Sequence, residues 1–271
     1  MSKHAVPICL WLALIISGCT VKMQTNDLLN GVLWAQTSVE FEVSVRQAFE
    51  LARHNIEKAL KDPHWTAALE QTNHYEALKP AVIIDVDETL LNNFPFEARL
   101  VKDGVDFEET LWQAWVNESK AAAMPGAKSF IQYLKAKGIK IFYVTNRIME
   151  APTVRNIKIA LDPMVTAEEV LCKNEMPDWG SDKSSRRAFL ARDYRIILLL
   201  GDDYNDFAFL GKAGPEERLA KARAHQHYWG KQWIIFSNPV YGHWERALYN
   251  YNHNLSAQEK RMAKRRYLNT Q

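Results

Sequence analysis

The chain has 271 residues, 47% of them hydrophobic and 24% charged, and its 34 Lys and Arg against 32 Asp and Glu leave a formal charge of +2. That length and apolar fraction exclude a disordered chain and support one compact domain of roughly 200 residues with additions. The near-balance of charge excludes the electrostatics of a nucleic-acid-binding protein, and three cysteines exclude a disulfide-dense scaffold.

At the start of the chain, Lys3 and His4 precede an apolar segment from Ala5 to Ile16 that is too short to span a bilayer comfortably and ends in Ser17, Gly18 and Cys19. The pattern resembles a bacterial lipoprotein signal. That resemblance implies a signal peptide over residues 1–18, cleavage before Cys19 and acylation of Cys19, so that the mature protein is lipid-anchored rather than membrane-spanning. Thr20, rather than Asp, at the next position implies sorting to the outer membrane. An ordinary export signal with a soluble product is the alternative. With Cys9 in the signal and Cys19 carrying lipid, Cys172 is left without a disulfide partner.

Residues 19–78 read as a tether and helical extension, because Phe41, Val45, Ala48, Phe49, Ala52, Ile56 and Leu60 recur at three- and four-residue spacing and predict an amphipathic helix over about 36–60. From residue 79 to 271, short apolar runs near 81–85, 140–145, 168–172, 195–200 and 233–237 alternate with helical stretches. That alternation predicts the α/β class, with a Rossmann-like parallel sheet flanked by helices. The interval after the first strand is far longer than one crossover helix needs and predicts a helical cap inserted at about 93–138, with Trp112 and Trp115 inside it. Phe94 and Phe96 are candidates to line its entrance.

The chemistry-bearing residues stand at the ends of these strands. Asp85 and Asp87 follow the apolar run Ala81 to Ile84, two residues apart where an open α/β sheet places its ligands. Alone, the pair reads equally as turn and helix-cap residues. A second acidic cluster, Asp202, Asp203 and Asp206, follows the apolar run Ile196 to Leu200, and Thr145, Asn146 and Arg147 follow a third strand. Lys183 lies near the start of a helical stretch, where an exposed lysine would be unremarkable. Buried lead-ins that end in paired acids favour a reactive site over a structural one.

These motifs resemble the haloacid dehalogenase superfamily and, within it, the class C acid phosphatases with their two pairs of aspartates. The four here are Asp85, Asp87, Asp202 and Asp206. The similarity extends to Leu33 to Ser38, Met124 to Ala127, Asp182 to Ser184 and Asn238 to Glu245, and so covers nearly the whole mature chain. Asn92 and Asn205 depart from it, each standing where an acid is common. The resemblance implies hydrolysis of phosphate monoesters through an aspartyl-phosphate, with Asp85 as nucleophile and Asp87 as general acid and base. It implies Mg2+ held by Asp85, the backbone carbonyl of Asp87 and Asp202, with Asp206 completing the shell. Thr145 and Asn146 would hold phosphoryl oxygens and Lys183 would neutralise charge. Trp112 and Tyr241 would sandwich a nucleobase, pointing to nucleoside 5'-monophosphates.

Glu88 is expected to point away, and Arg147 is left out of the catalytic set. His225, His227 and His243 lack carboxylate company and are expected on the surface rather than at a metal. Lys260, Arg261, Lys264, Arg265 and Arg266 make a basic C-terminal helix that reads first as a solvated face and second as a contact for anionic lipid. The competing functional readings are a surface lipoprotein that mainly binds a ligand, against which intact Asp85 and Asp87 argue, and a phosphotransferase or sugar phosphatase on the same fold.

Overall fold

The structure, a computed structural model, describes residues 26–271; the signal segment and Cys19 lie outside the described residues. Two helices come first, α1 (Leu29–Thr37) and α2 (Val39–Lys61). The helix expected over 36–60 therefore begins at Val39, because Ser38 is extended and its Oγ accepts from the Phe41 N–H at 3.1 Å, starting a new helix. Of the predicted apolar stripe, Phe41, Val45, Phe49, Ala52 and Ile56 are buried and Ala48 is half-buried, whereas Leu60, in the last turn, is exposed. Phe49 packs at 4.8 Å from Phe236 and 5.2 Å from Phe130, measured between ring centres.

The sheet is parallel, with five strands in the spatial order β5–β4–β1–β6–β7. These are β1 (Lys79–Ile84), β4 (Lys140–Val144), β5 (Val170–Leu171), β6 (Tyr194–Gly201) and β7 (Trp233–Ile235). Each lies within a predicted apolar run or within two residues of it. Both faces are covered, and the strand period shows how: Val82 and Ile84 enter the hydrophobic cluster with α2, while Ala81 and Ile83 enter a second one with Trp233 and Phe207. Ile84 pairs with Tyr143 on one side and Leu200 on the other. The carboxyl ends of β1, β4 and β6 therefore stop at one level, which brings Asp85, Thr145 and Asp202 to a common edge.

Between β1 and β4 lie a two-stranded antiparallel pair, β2 (Leu91–Asn92) with β3 (Ala122–Ala123), and helices α3 (Phe94–Asp103), α4 (Glu109–Glu118) and α5 (Ala127–Ala136). The cap is narrower than the expected 93–138. The β2–β3 pair closes its neck at Ala123, and α5 packs on α2 and β4 as the crossover helix of the core layer. Gly126, at φ +86°, makes the turn into α5, where an added Cβ would lie 3.3 Å from the Phe49 ring. Nor is the cap an independent body, since Phe96, Leu100, Trp115 and Val116 belong to the same apolar cluster as α2. Phe94 and Phe96 are buried there rather than lining an entrance.

The other elements are α6 (Glu150–Ala160), α7 (Ser184–Ala191), α8 (Pro215–Ala224), α9 (His243–Ala247) and α10 (Ala257–Arg265). Cys172 is a buried free thiol. Among the described residues no helix is long and apolar enough to cross a membrane.

Candidate active site

Asp85 leaves β1 with its N–H still bonded to the Leu200 carbonyl at 2.9 Å, so the sheet itself fixes where its carboxylate points. Lys183 stands at the N-terminal boundary of α7 with its ammonium inward, donating to Asp85 and, at 2.7 Å, to Asp206 Oδ1. Its side chain is 6% exposed, so this is not the solvated helix lysine that its type suggests. Asp206 ends a tight 3-10 turn (Tyr204–Asp206) in which its Oδ2 accepts the Asp203 N–H at 2.9 Å. The last residue of β6 has to be glycine, because a Cβ on Gly201 would sit 2.2 Å from that Oδ2. Asp202 is oriented by Asn238, whose Nδ2 donates to it at 2.9 Å.

Asp85, Asp202 and Asp206 thus each bring a carboxylate oxygen to within 4.8 Å of the others. Burial pushes the Asp85 carboxyl up to about 7, against the pull of Lys183 and with the help of Asp206 and Asp87. Burial and then the charge of Asp85 hold Asp202 well above the usual carboxylate range. Desolvation would lower Lys183, but Asp206 and Asp85 outweigh it and hold the ammonium above its ordinary value. One ammonium does not balance three carboxylates. The donor set fits a hard divalent cation, because oxygen-only ligands carrying excess negative charge are what Mg2+ takes.

The carboxylate of Asp87 has different partners, which leaves only its backbone carbonyl for a metal. Its Oδ1 accepts from Arg147 Nε at 2.8 Å, Arg147 Nη2 at 2.7 Å and Asn93 Nδ2 at 2.8 Å, and its Oδ2 accepts from Thr145 Oγ1 at 3.2 Å. Arg147, set aside in the sequence, is 2% exposed and is the main partner of this acid. Its Nη2 also donates to Asn93 Oδ1 at 3.1 Å, an oxygen shared with Trp115 Nε1 at 2.8 Å, and its guanidinium lies 5.5 Å from the Trp112 ring centre. Asn93 was missed because an asparagine just before a helix reads as a cap. Arg147 was missed because nothing local says which way an arginine in a loop will point.

Thr145 meets Asp87 as described, and its hydroxyl accepts the Arg147 N–H at 3.1 Å. Asn146 is exposed; its Nδ2 donates to the Ser181 carbonyl at 3.1 Å and its Oδ1 accepts from Arg186 at 2.7 Å, tying this loop to the one before Lys183. Glu88 does not point to solvent. It is fully buried at φ 56°, accepts the Asn93 N–H at 2.7 Å and receives the Tyr241 hydroxyl, and burial together with Asp87 raises its carboxyl well above the ordinary value. Tyr241 and Trp112 are both half-buried, and each partners a residue at the β1 end, Tyr241 through Glu88 and Trp112 through Arg147, the partner of Asp87. Trp112 stands beside Arg147 after β4, and Tyr241 beside Asn238 after β7.

Neither asparagine that departs from the family pattern belongs to the acid cluster: Asn92 accepts the Phe94 N–H at 3.0 Å and Asn205 the Leu210 N–H at 3.2 Å. His243 does have carboxylate company. Its Nδ1 is 3.2 Å from Asp203 Oδ1, and this contact with the imidazole helps hold the Asp203 carboxyl low despite burial. His225 bonds the Tyr204 hydroxyl at 2.6 Å.

A family model described as acid phosphatase, subfamily IIIB of the HAD superfamily, matches residues 15–244. The fold superposes on the class C acid phosphatase from Bacillus anthracis with a TM-score of 0.79, at 30% identity over 90% of this chain and 97% of that one. A second structure of that enzyme, with tungstate bound, gives 0.81 at 30% identity over 92% and 99%. Among curated plant relatives, a stem 31 kDa glycoprotein of Glycine max is 29% identical over 150 residues, and acid phosphatase 1 of Solanum lycopersicum is 27% identical over 140. These matches take in 54% and 46% of this chain and only 58% and 50% of the relatives' own lengths.

Proposed function

The chain belongs to the acid phosphatases of subfamily IIIB of the HAD superfamily, and from that premise we propose that it hydrolyses nucleoside 5'-monophosphates with the help of Mg2+. The observation that carries this reading is the cluster of Asp85, Asp202 and Asp206, with Lys183 paired to Asp85 and Asp206 and Asp87 held separately two residues beyond the nucleophile.

An Asp85 oxygen attacks phosphorus, the ester P–O bond breaks, and Asp87 delivers a proton to the departing alkoxide. A water then attacks phosphorus of the aspartyl-phosphate, Asp87 takes its proton, and the Asp85–phosphorus bond breaks to release inorganic phosphate. Lys183 stays ionised through both steps and offsets charge on nucleophile and phosphoryl group alike. Thr145, beside Asp87, is placed to hold a phosphoryl oxygen. Bound to Asp85, Asp202, Asp206 and the Asp87 carbonyl, Mg2+ would screen the approach of an anionic nucleophile to an anionic ester.

The nucleotide preference rests on Trp112 and Tyr241, half-buried aromatics whose partners Arg147 and Glu88 stand at the β1 end, and on which the base of a bound nucleotide would stack. Acylation of Cys19 would place the enzyme on the outer membrane, where nucleotides that cross membranes poorly are met before uptake.

The test is phosphate release across nucleoside monophosphates and sugar phosphates by the wild type, by Asp85→Asn, and with chelator. Metal-dependent turnover that is lost in Asp85→Asn and strongest on nucleotides is the expected result. A folded, Mg2+-supplied protein inert on every monoester would replace this reading with a ligand-binding lipoprotein, and a preference for sugar phosphates would overturn the substrate alone.

A further inference from the structure

Helix α10 carries Lys260, Arg261, Lys264 and Arg265, with Arg266 next, against a single acid, Glu259. Its inward row is engaged with the body: Arg261 Nε lies 2.8 Å from Asp27, and Lys264 Nζ lies 2.6 Å from Glu245 and 3.7 Å from Asp27. The outward row is of another kind. Met262, Arg265 and Arg266 fall at i, i+3 and i+4 on one exposed face, continued by Tyr267 and Leu268, with Met262 55% and Leu268 71% exposed. Beside this row a cavity of about 290 Å³ is lined by Asp27, Arg261, Lys264, Arg265 and Leu268, away from the acid cluster.

Guanidiniums interleaved with solvent-facing apolar side chains suit a surface that offers phosphates above hydrocarbon, which neither nucleic acid nor bulk water does. The position of the helix matters as much as its composition. Asp27 ties α10 to the segment that leads back to Cys19, and the eight residues from Cys19 to Asp27 span at most about 29 Å when fully extended. An acyl chain on Cys19 would keep α10 within that reach of a bilayer and make its contact with the surface intramolecular in effect.

We propose that the outward face of α10 docks on anionic phospholipid headgroups and gives the anchored enzyme a second, electrostatic attachment. This rests on the reading of Cys19 as lipidated. The docking face is joined to the active-site end of the sheet through α9, whose Glu245 holds Lys264 while His243, two residues earlier, holds Asp203.

The test is hydrogen exchange over residues 257–268 of the full, processed protein, reconstituted in vesicles of phosphatidylcholine alone or with phosphatidylglycerol added. Slower exchange only on the anionic vesicles, reversed by high salt, is expected. Each basic side chain is worth about five-fold in partitioning, so Arg265→Gln with Arg266→Gln lowers the docking equilibrium about 25-fold while hydrolysis of a small soluble monoester is unchanged. Equal exchange on both vesicles, the same protection from inorganic phosphate without vesicles, or indifference to the double substitution would each overturn the proposal. An N-terminal peptide whose mass shows no acyl chain defeats the anchor alone, and the same vesicles added to that protein still decide the docking.

Discussion

Arg147 holds one oxygen of Asp87 with two of its nitrogens, Nε at 2.8 Å and Nη2 at 2.7 Å, and is itself covered by Trp112 of the cap. The residue proposed to protonate the leaving group is thus aimed by a side chain from the neighbouring strand end, and that side chain is packed by the cap.

Arg147→Ala should therefore hurt esters that need a proton on the leaving oxygen more than those that do not. General acid help is worth about 10²–10⁴-fold, so kcat on an alkyl phosphate should fall by about 10² while p-nitrophenyl phosphate loses much less. Lysine cannot reproduce the two-nitrogen grip, and Arg147→Lys should recover little. Steady-state kinetics on both substrates decide it; equal losses would mean that Arg147 only supports the fold.

Lys183→Met removes the ammonium between Asp85 and Asp206. We expect a drop in kcat of about 10²–10³-fold, the scale on which one preorganised charge contributes. The metal-free protein should also melt lower, since breaking a buried ion pair costs about 3–5 kcal/mol. Added Mg2+ should raise the melting temperature more in this variant than in the wild type, because no ammonium competes for the carboxylates. Calorimetry with and without metal tests this.

Gly201→Ala places a methyl group 2.2 Å from Asp206 Oδ2. The turn must open or Asp206 must swing out, so Mg2+ affinity and activity should both collapse although no charged group has been altered. A titration of activity against Mg2+ that matches wild type would show that the turn absorbs the methyl group.

Metal affinity should weaken as pH falls. Without metal, the Asp85 carboxyl is pushed up to about 7 and the Asp202 carboxyl is also held well above its ordinary range, chiefly by burial, so protons compete with the cation for the same oxygens. Below pH 7 the apparent dissociation constant should rise about tenfold per pH unit from Asp85 alone, which calorimetric Mg2+ titrations at pH 8 and pH 6 would reveal.

Glu97, on α3, is 5% exposed, and burial raises its carboxyl from 4.5 to about 7. The folded protein then binds more protons than the unfolded chain between those values, so this contribution to stability is complete below about pH 4.5 and is lost as pH rises through 7. The loss is on the order of 3 kcal/mol. Urea unfolding of wild type and Glu97→Gln at pH 5 and pH 8 should show the substitution to be the more stable form at pH 8 and the difference to shrink at pH 5.

What the sequence determined by itself was whatever is encoded locally. Unbroken apolar runs such as Ile196 to Leu200, alternating with helical stretches, read as buried strands, and acids placed directly after two of them point to one edge of a parallel sheet. The amphipathic period of α2 likewise named its own buried face. Only the tertiary structure decided the rest, because it depends on residues distant in the chain. Arg147 and Asn93 meet Asp87 because β4 lies beside β1 and the cap folds back over both. Glu88 is buried because Tyr241, more than 150 residues later, supplies its hydroxyl. His243 gained a carboxylate because α9 packs against the loop of Asp203. The cap ended at Ala123 because α5 had α2 to pack against. A side chain's own type states what partner it needs, and packing alone states which partner arrives.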